Sequence, residues 1–184
     1  MTRLTTERDG AIFSLFACAL FLSACAVGWS HSSDAALEKV FQTHQAKFET
    51  LLADVQEDPL LTSIQRSGAI YAGRTVNLRA NDTAEIERLG LTKERWVRYQ
   101  KRLGDLGLYG VIKGPSMVEF RVDNGSLYNG DSYKGLEYIL TPPHHLRASL
   151  DGYRISDEDK DQFGDIAVYT SLTGKWYLYL FVNH

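Results

Sequence analysis

The spacing of apolar residues changes once along this chain, and that change limits the folds open to it. Before residue 108, apolar residues recur at three- and four-residue steps, which is the period of an amphipathic helix. From Leu108 onward they alternate with polar residues, which is the period of a β-strand. Helices first and strands later predict an α+β fold.

The helical part begins with one long amphipathic helix. Its apolar stripe consists of Leu37, Val40, Phe41, His44, Phe48, Leu51, Leu52 and Val55. Asp58-Pro59 ends this helix and predicts a short second one up to Gly68, because aspartate caps helices and proline fits their first position. One short strand is expected within residues 69–81. Thr92 then predicts the cap of a further helix, which Gly107 ends.

The later part predicts four or five strands joined by hairpins. Two strand-like stretches flank Gly114-Pro115-Ser116, and Asn124-Gly125 and Asn129-Gly130 are hairpin signals. A third stretch ends at Pro142-Pro143, and a fourth reaches Thr173-Gly174. We therefore expect N-terminal helices packed on one face of a C-terminal antiparallel sheet of four to five strands.

The last predicted strand, Trp176 to Val182, is apolar on both faces. One face carries Trp176, Leu178, Leu180 and Val182, and the other carries Tyr177, Tyr179 and Phe181. Such a strand is normally covered on both sides. We predict that Trp176 packs under the helices with Phe41 and Phe48. Tyr177, Tyr179 and Phe181 then form either a partner-binding surface or a second core layer.

The first 25 residues have the pattern of an export signal. The apolar run from Ala11 to Leu22 has twelve residues, too few for a transmembrane helix of roughly twenty but typical of a signal peptide. Leu22-Ser23-Ala24-Cys25 follows, and it resembles the lipobox of bacterial lipoprotein precursors. In that family a diacylglyceryl group is attached to the cysteine and the chain is cut just before it. The resemblance therefore implies a lipid on Cys25.

The same resemblance implies a domain organisation and a location. Residues 1–24 would be the signal peptide, 25–33 a short tether and 34–184 a single α+β domain. In this family a residue other than aspartate after the cysteine usually goes with the outer membrane, and Ala26 has that position. We expect a chain held in the cell envelope, at the outer rather than the inner membrane. An ordinary secretory signal cut near Ser23–Ala26 is the alternative.

The cysteines and the net charge agree with export and exclude some partners. Of the two cysteines, Cys18 would be removed with the signal and Cys25 would carry the lipid, so no disulfide is expected. The formal net charge of −3 gives no electrostatic attraction to nucleic acid. The expected partners are the membrane and a protein of the envelope.

A series of short motifs spans the predicted domain. They are Glu94-Arg95-x-x-x-Tyr99, Leu106-Gly107-Leu108, Lys134-Gly135-x-x-Tyr138, Pro142-Pro143 and Gly174-x-Trp176-Tyr177-Leu178-Tyr179. Their order resembles a domain of unknown function that occurs in many bacterial exported proteins, over roughly residues 80 to 184. The resemblance implies a common fold and no particular activity.

Two segments carry groups that bind metals elsewhere. His144 and His145 are adjacent, and adjacent side chains on an extended backbone point in opposite directions, so a shared zinc ion fits poorly. Asp157-Glu158-Asp159-Lys160-Asp161 is similar to the start of a calcium loop. However, Gln162 and Val168 stand where that loop needs glycine and glutamate. We expect no metal and no cofactor.

These observations favour a lipid-anchored, non-catalytic domain that binds or supports a partner in the envelope. One alternative is a protective protein that blocks an incoming toxin or lytic enzyme. Another is an envelope hydrolase that uses Asp, Glu or His, since paired carboxylates for glycoside cleavage need only spatial closeness. No catalytic residue can be named from these patterns. A cleft with a carboxylate of raised pKa would favour the hydrolase.

Overall fold

The computed structural model describes residues 31–77, 87–88, 90–127, 130–153 and 165–182. The helices are α1 (Asp34–Glu57) and α2 (Lys93–Asp105). The strands are β1 (Leu61–Gln65), β2 (Gly68–Tyr71), β3 (Arg74–Asn77), β4 (Gly110–Lys113), β5 (Met117–Leu127), β6 (Gly130–Ile139), β7 (Ile166–Thr173) and β8 (Trp176–Val182). The described residues belong to one compact unit that starts at His31.

The strands form one antiparallel sheet in the order β3-β2-β1-β4-β5-β6-β8-β7. Most neighbours in the sheet are also neighbours in sequence, and the two exceptions are β1 beside β4 and β6 beside β8. The predicted α+β class and antiparallel sheet are confirmed. The predicted number of four to five strands is wrong, because β1, β2 and β3 join the sheet and bring it to eight.

Helix α1 follows its predicted stripe. The Ser33 hydroxyl accepts a hydrogen bond from the Ala36 amide and caps the first turn. The buried residues are Leu37, Phe41, Phe48, Leu51, Leu52 and Val55. His44 is half-buried and has non-helical backbone angles, φ −124° and ψ 17°, so the helix is kinked there. The long amphipathic helix is confirmed.

The segment after α1 differs from its prediction. The pattern predicts a short helix over residues 59–68, but the chain forms β1 there. The Asp58 carboxylate accepts a hydrogen bond from the Leu60 amide at 3.3 Å and closes a turn instead of starting a helix. β1 then pairs with β2 on one side and with β4 on the other. The helix prediction is wrong because pairing with β2 and β4 determines the conformation of these residues, whose own preference for helix or strand is weak.

The single strand expected within residues 69–81 is a hairpin of β2 and β3. Ala72 and Gly73 form its turn with φ of 51° and 71°, the left-handed backbone of a two-residue hairpin. Asp82 and Glu85 have the pattern of a helix cap and Gly90 that of a helix stop, which predicts a short helical turn between them, but this segment lies largely outside the described residues.

Helix α2 starts and ends where predicted. The Thr92 hydroxyl accepts a hydrogen bond from the Arg95 amide, and Gly107, with φ of 67°, follows the last turn. Arg95 lies 3.3 Å from the buried carboxylate of Asp58, and the Tyr99 hydroxyl donates to the same carboxylate at 3.4 Å. These contacts join α2 to the end of α1.

Strands β5 and β6 form a longer hairpin than predicted. Asn124 and Gly125 lie inside β5 and pair with Tyr133 and Ser132, so the turn predicted at Asn124-Gly125 is wrong. The pairing continues to Leu127 opposite Gly130, and the connecting residues 128–129 lie outside the described residues. An irregularity between Arg121 and Asp123 shifts the register by one residue.

The main core lies between the helices and one face of the sheet. Trp176 is at its centre, with its ring centroid 5.0 Å from that of Phe41, 6.1 Å from that of Phe48 and 5.2 Å from that of Phe120. The placement of Trp176 under the helices is therefore confirmed. Leu178, Leu180 and Val182 belong to the same cluster of buried residues. We call this side of the sheet the helix face.

Both ends of α1 are held by polar contacts to other elements. At the N-terminus, the buried Lys134 ammonium lies 2.8 Å from a carboxylate oxygen of Asp34 and 2.8 Å from one of Asp151. At the C-terminus, the Lys113 ammonium donates hydrogen bonds to the carbonyls of Val55, Gln56 and Asp58. The Lys113 contacts pair carbonyl groups that the C-terminus of a helix leaves unsatisfied.

Candidate functional site

A group of ionisable side chains lies on the side of the sheet opposite the helices, which we call the second face. Alternation along each strand places these side chains there, because their neighbours in β5, β6, β7 and β8 face the helices. We define the carboxylate–tyrosine cluster as Glu119, Arg121, Glu137, Tyr169 and Tyr179.

Two glutamates form the centre of this cluster. Glu119 in β5 and Glu137 in β6 are directly opposite each other in the antiparallel ladder, which places their Cβ atoms about 4.5–5.5 Å apart. Their relative exposures are 7% and 3%. Two buried carboxylates at this spacing cannot both ionise without a large cost, so one of them retains its proton.

Glu119 has two charge-stabilising hydrogen-bond donors. Arg121 Nε lies 2.6 Å from one of its carboxylate oxygens, and the Tyr179 hydroxyl donates to the same oxygen at 2.5 Å. Burial alone would lower the pKa of Arg121, but the hydrogen bond and charge of Glu119 outweigh it and raise that pKa. The guanidinium also lies 3.8 Å from the centre of the Tyr133 ring, a cation–π contact. Glu119 is therefore the member of the pair that is suited to carry the negative charge.

Gly135 allows Tyr179 to reach Glu119. Tyr179 is opposite Gly135, which is in turn opposite Arg121, so the tyrosine must cross β6 to reach a residue of β5. A Cβ atom at residue 135 would lie 2.2 Å from the Phe120 carbonyl oxygen and 3.1 Å from the Tyr179 ring. The missing side chain therefore leaves the space that the tyrosine ring occupies.

Glu137 is in a different environment. Its hydrogen-bond partner in the cluster is Tyr169 in β7. Burial, together with the charge of Glu119, raises the pKa of Glu137 to about 8. Burial also raises the pKa of Tyr169 and of Tyr179, so both tyrosines stay protonated. At neutral pH the pair thus consists of one carboxylic acid and one carboxylate.

The predicted partner surface lies beside this cluster but is mostly buried. Tyr177 is 6% exposed and Tyr179 2% exposed, while Phe181 is half-buried. Tyr177 packs against Tyr169, and Phe181 packs against Tyr133. This burial favours a second packed layer over an open surface, and a partner-binding role for the three residues stays a prediction.

The other predicted groups lie away from the cluster. His144 and His145 are exposed in the segment after β6, and the His145 carbonyl accepts a hydrogen bond from the Tyr169 amide. Cys25 and the acidic segment Asp157–Asp161 lie outside the described residues. Within the described part of the chain, no three histidine, cysteine or acidic side chains gather where they could bind a metal ion.

Two cavities in the described part of the chain lie away from the cluster. A cavity of about 150 Å³ lies beside Lys47, Thr50 and Arg102, and another of about 90 Å³ lies beside Lys113 and Tyr138. No residue of the carboxylate–tyrosine cluster lines either of them. The burial of Glu119 and Glu137 suits the cluster to hold charge inside the protein.

Sequence reasoning did not identify Glu119, Arg121 or Glu137 as a site. The strand pattern does place Glu119 and Arg121 together on the face away from the apolar residues of β5. It gives no information on which residue of β6 is opposite them. The signal that could have found the pair is a glutamate, Glu137, placed between the large apolar residues Leu136 and Tyr138 of a strand.

Comparison with models of known protein families, with curated proteins and with solved structures finds no match to this chain. Among the described residues, neither helix combines the length and the apolar character needed to cross a bilayer.

Proposed function

We propose that this protein is a lipid-anchored component of the bacterial cell envelope, attached through Cys25. On this proposal the folded domain is non-catalytic and binds or supports another envelope protein. The anchor is supported by the order of an apolar run, two small residues and a cysteine at Ala11–Cys25. Ala26 favours the outer membrane.

The observation that carries the non-catalytic role is the burial and internal hydrogen bonding of the acidic groups in the carboxylate–tyrosine cluster. Its acidic groups are the strongest candidates for chemistry in the described chain, yet each is buried and hydrogen-bonded by neighbours in the protein. A catalytic acid or nucleophile has to reach its substrate at hydrogen-bond distance. Groups that are already paired inside a sheet face are better suited to stability.

The anchor can be tested with two cysteine variants. Cys25→Ser should leave the chain uncleaved or release it in soluble form, whereas Cys18→Ser, a matched change within the apolar run, should partition into detergent like the wild type. Attached acyl chains contribute about 0.8 kcal/mol per buried CH₂ to membrane binding. A Cys25→Ser chain that is cleaved like the wild type and partitions equally into detergent would disprove the anchor.

The partner can be sought by crosslinking the protein in native membranes. The expected result is one envelope protein that crosslinks to the wild type and not to the released Cys25→Ser chain. Labelling of many abundant proteins in proportion to their amounts would contradict a specific partner.

One observation favours a second candidate, an envelope glycoside hydrolase. The Cβ spacing expected for directly opposed residues suits two carboxyl groups about 5 Å apart, as in retaining glycosidases. The raised pKa of Glu137 suits a general acid, and Glu119 suits a nucleophile. Purified protein incubated with isolated peptidoglycan should then release reducing ends, and both Glu119→Gln and Glu137→Gln should abolish the release. Equal, background release by all three would exclude this candidate.

A further inference from the structure

On the second face, the charges of the residues that the structure describes balance only if one proton is bound. Glu119 and Arg121 approach from β5, Glu137 from β6, Tyr169 from β7, and Tyr177 and Tyr179 from β8. Tyr169 and Tyr179 are neutral, and among the described residues Arg121 is the cation of this group. Lys134 of β6 faces the helices, where it pairs with Asp34 and Asp151. Two carboxylates therefore share one cation.

The position of the proton follows from the hydrogen bonds. Glu119 accepts from both Arg121 and Tyr179, whereas Glu137 has Tyr169 as its partner in the cluster. Loss of the proton from Glu137 would place a second negative charge directly opposite Glu119, at a site where burial excludes the water that would solvate it.

We infer that the Glu119–Glu137 pair is a proton-dependent latch, which keeps the second face of β5, β6, β7 and β8 packed while it holds one proton and loosens that packing when the proton leaves. The titration of the pair does not depend on the anchor or on a partner, whereas its regulatory role rests on the proposed location. We assign the buried pair a regulatory role in a protein that we place outside the cytoplasm, where pH follows the surroundings.

The direction of the pH effect can be stated. A glutamate with the ordinary pKa of 4.5 loses its proton early in the unfolded chain, whereas burial and the charge of Glu119 raise the pKa of Glu137 to about 8 in the folded protein. Between these values the folded state binds one more proton than the unfolded state. Stability from the latch is thus complete below pH 4.5 and is lost as the pH rises toward 8. The unfolding constant should increase on the order of a thousandfold across this window.

The test compares full-length wild type with Glu137→Gln, which has nearly the same shape and cannot titrate. Urea unfolding in mild detergent, followed by tryptophan fluorescence at pH 5.5, 7 and 9, gives the unfolding constant at each pH. The wild-type constant should rise steeply relative to that of Glu137→Gln, and this comparison removes the contribution of the histidines. Parallel pH dependences in the two proteins would overturn the inference.

A second measurement needs only the wild type to fold. Infrared difference spectra between pH 7 and pH 10 should show loss of a protonated, buried carboxyl group, together with faster amide hydrogen exchange in β5 and β6 relative to intrinsic rates. In Glu119→Gln the same loss should occur at lower pH, because the opposing charge is gone. Absence of a protonated carboxyl in the wild type at pH 7 would equally overturn the inference.

Discussion

The two faces of one sheet are both buried but are built from different chemistry. The helix face is formed by aliphatic and aromatic side chains centred on Trp176, which packs with rings from α1 and β5. The second face of the same strands holds two carboxyl groups, a guanidinium and several tyrosines. Residues 176 and 177, adjacent in β8, therefore belong to different environments.

This difference has consequences for stability. Apolar burial on the helix face contributes roughly 25 cal/mol per Å² and depends little on geometry or pH. The second face contributes only while every buried polar group has its partner and the carboxyl pair keeps its proton. The helix face is thus expected to provide most of the folding free energy. The contribution of the second face is expected to depend more strongly on the identity of each residue and on pH.

The largest effect is expected from Trp176→Ala on the helix face. Removal of this ring leaves a cavity among Phe41, Phe48 and Phe120, and should lower the free energy of unfolding by about 3–5 kcal/mol. Urea unfolding of the full-length chain, followed by circular dichroism, measures the change. Trp96→Ala is the matched control, because Trp96 is only half-buried on α2 and should cost less. Equal losses of unfolding free energy in the two variants would show that Trp176 does not lie at the centre of the core.

Local signals in the sequence predicted α1, α2 and the apolar face of the sheet well. The cap at Thr92 depends on an amide three residues away, and the α1 stripe depends on spacing within a single helix. The strand β1 was missed because its partners are residues 68–71 and 110–113, and their availability depends on the whole sheet. Trp176 could be placed because the alternation along β8 and the need to bury a large ring both predict that it faces the helices.

A smaller effect is expected from Gly135→Ala, which enlarges one residue on the second face. The new methyl group would collide with the Phe120 carbonyl and press on the Tyr179 ring. Backbone has to move to relieve this overlap, so a loss of about 2–3 kcal/mol is expected. Gly104→Ala, on α2 with open space around the added atom, is the control and should have little effect or slightly stabilise the helix. A Gly135→Ala protein as stable as wild type would show that Tyr179 does not depend on this gap.

The site itself could not be predicted, because strand register brings its residues together. A two-residue turn at Asn124-Gly125 would put residue 123 opposite 126 and, four steps further, Glu119 opposite Gly130. The actual hairpin ends at Leu127 and Gly130 and contains one register shift, which together place Glu119 opposite Glu137. The sequence therefore shows both glutamates but does not show that they are close to each other, since a misplaced turn changes every cross-strand pair.

The smallest of these effects is expected from Tyr179→Phe, and it tests whether hydrogen bonding or ring packing maintains the second face. The change keeps the ring over Gly135 and removes the hydroxyl that donates to Glu119. Because Arg121 still pairs with Glu119, the loss should be about 1.5 kcal/mol, the range of one hydrogen bond to a charged group.

Tyr177→Phe is the matched control in the same strand, since no described residue provides a hydrogen bond to its hydroxyl, and it should change the free energy of unfolding by under about 0.5 kcal/mol. Urea unfolding at pH 6, where Glu137 holds its proton, keeps the comparison free of titration. Equal, small losses in both variants would mean that ring packing alone maintains the second face, and that the two faces differ less than their chemistry indicates.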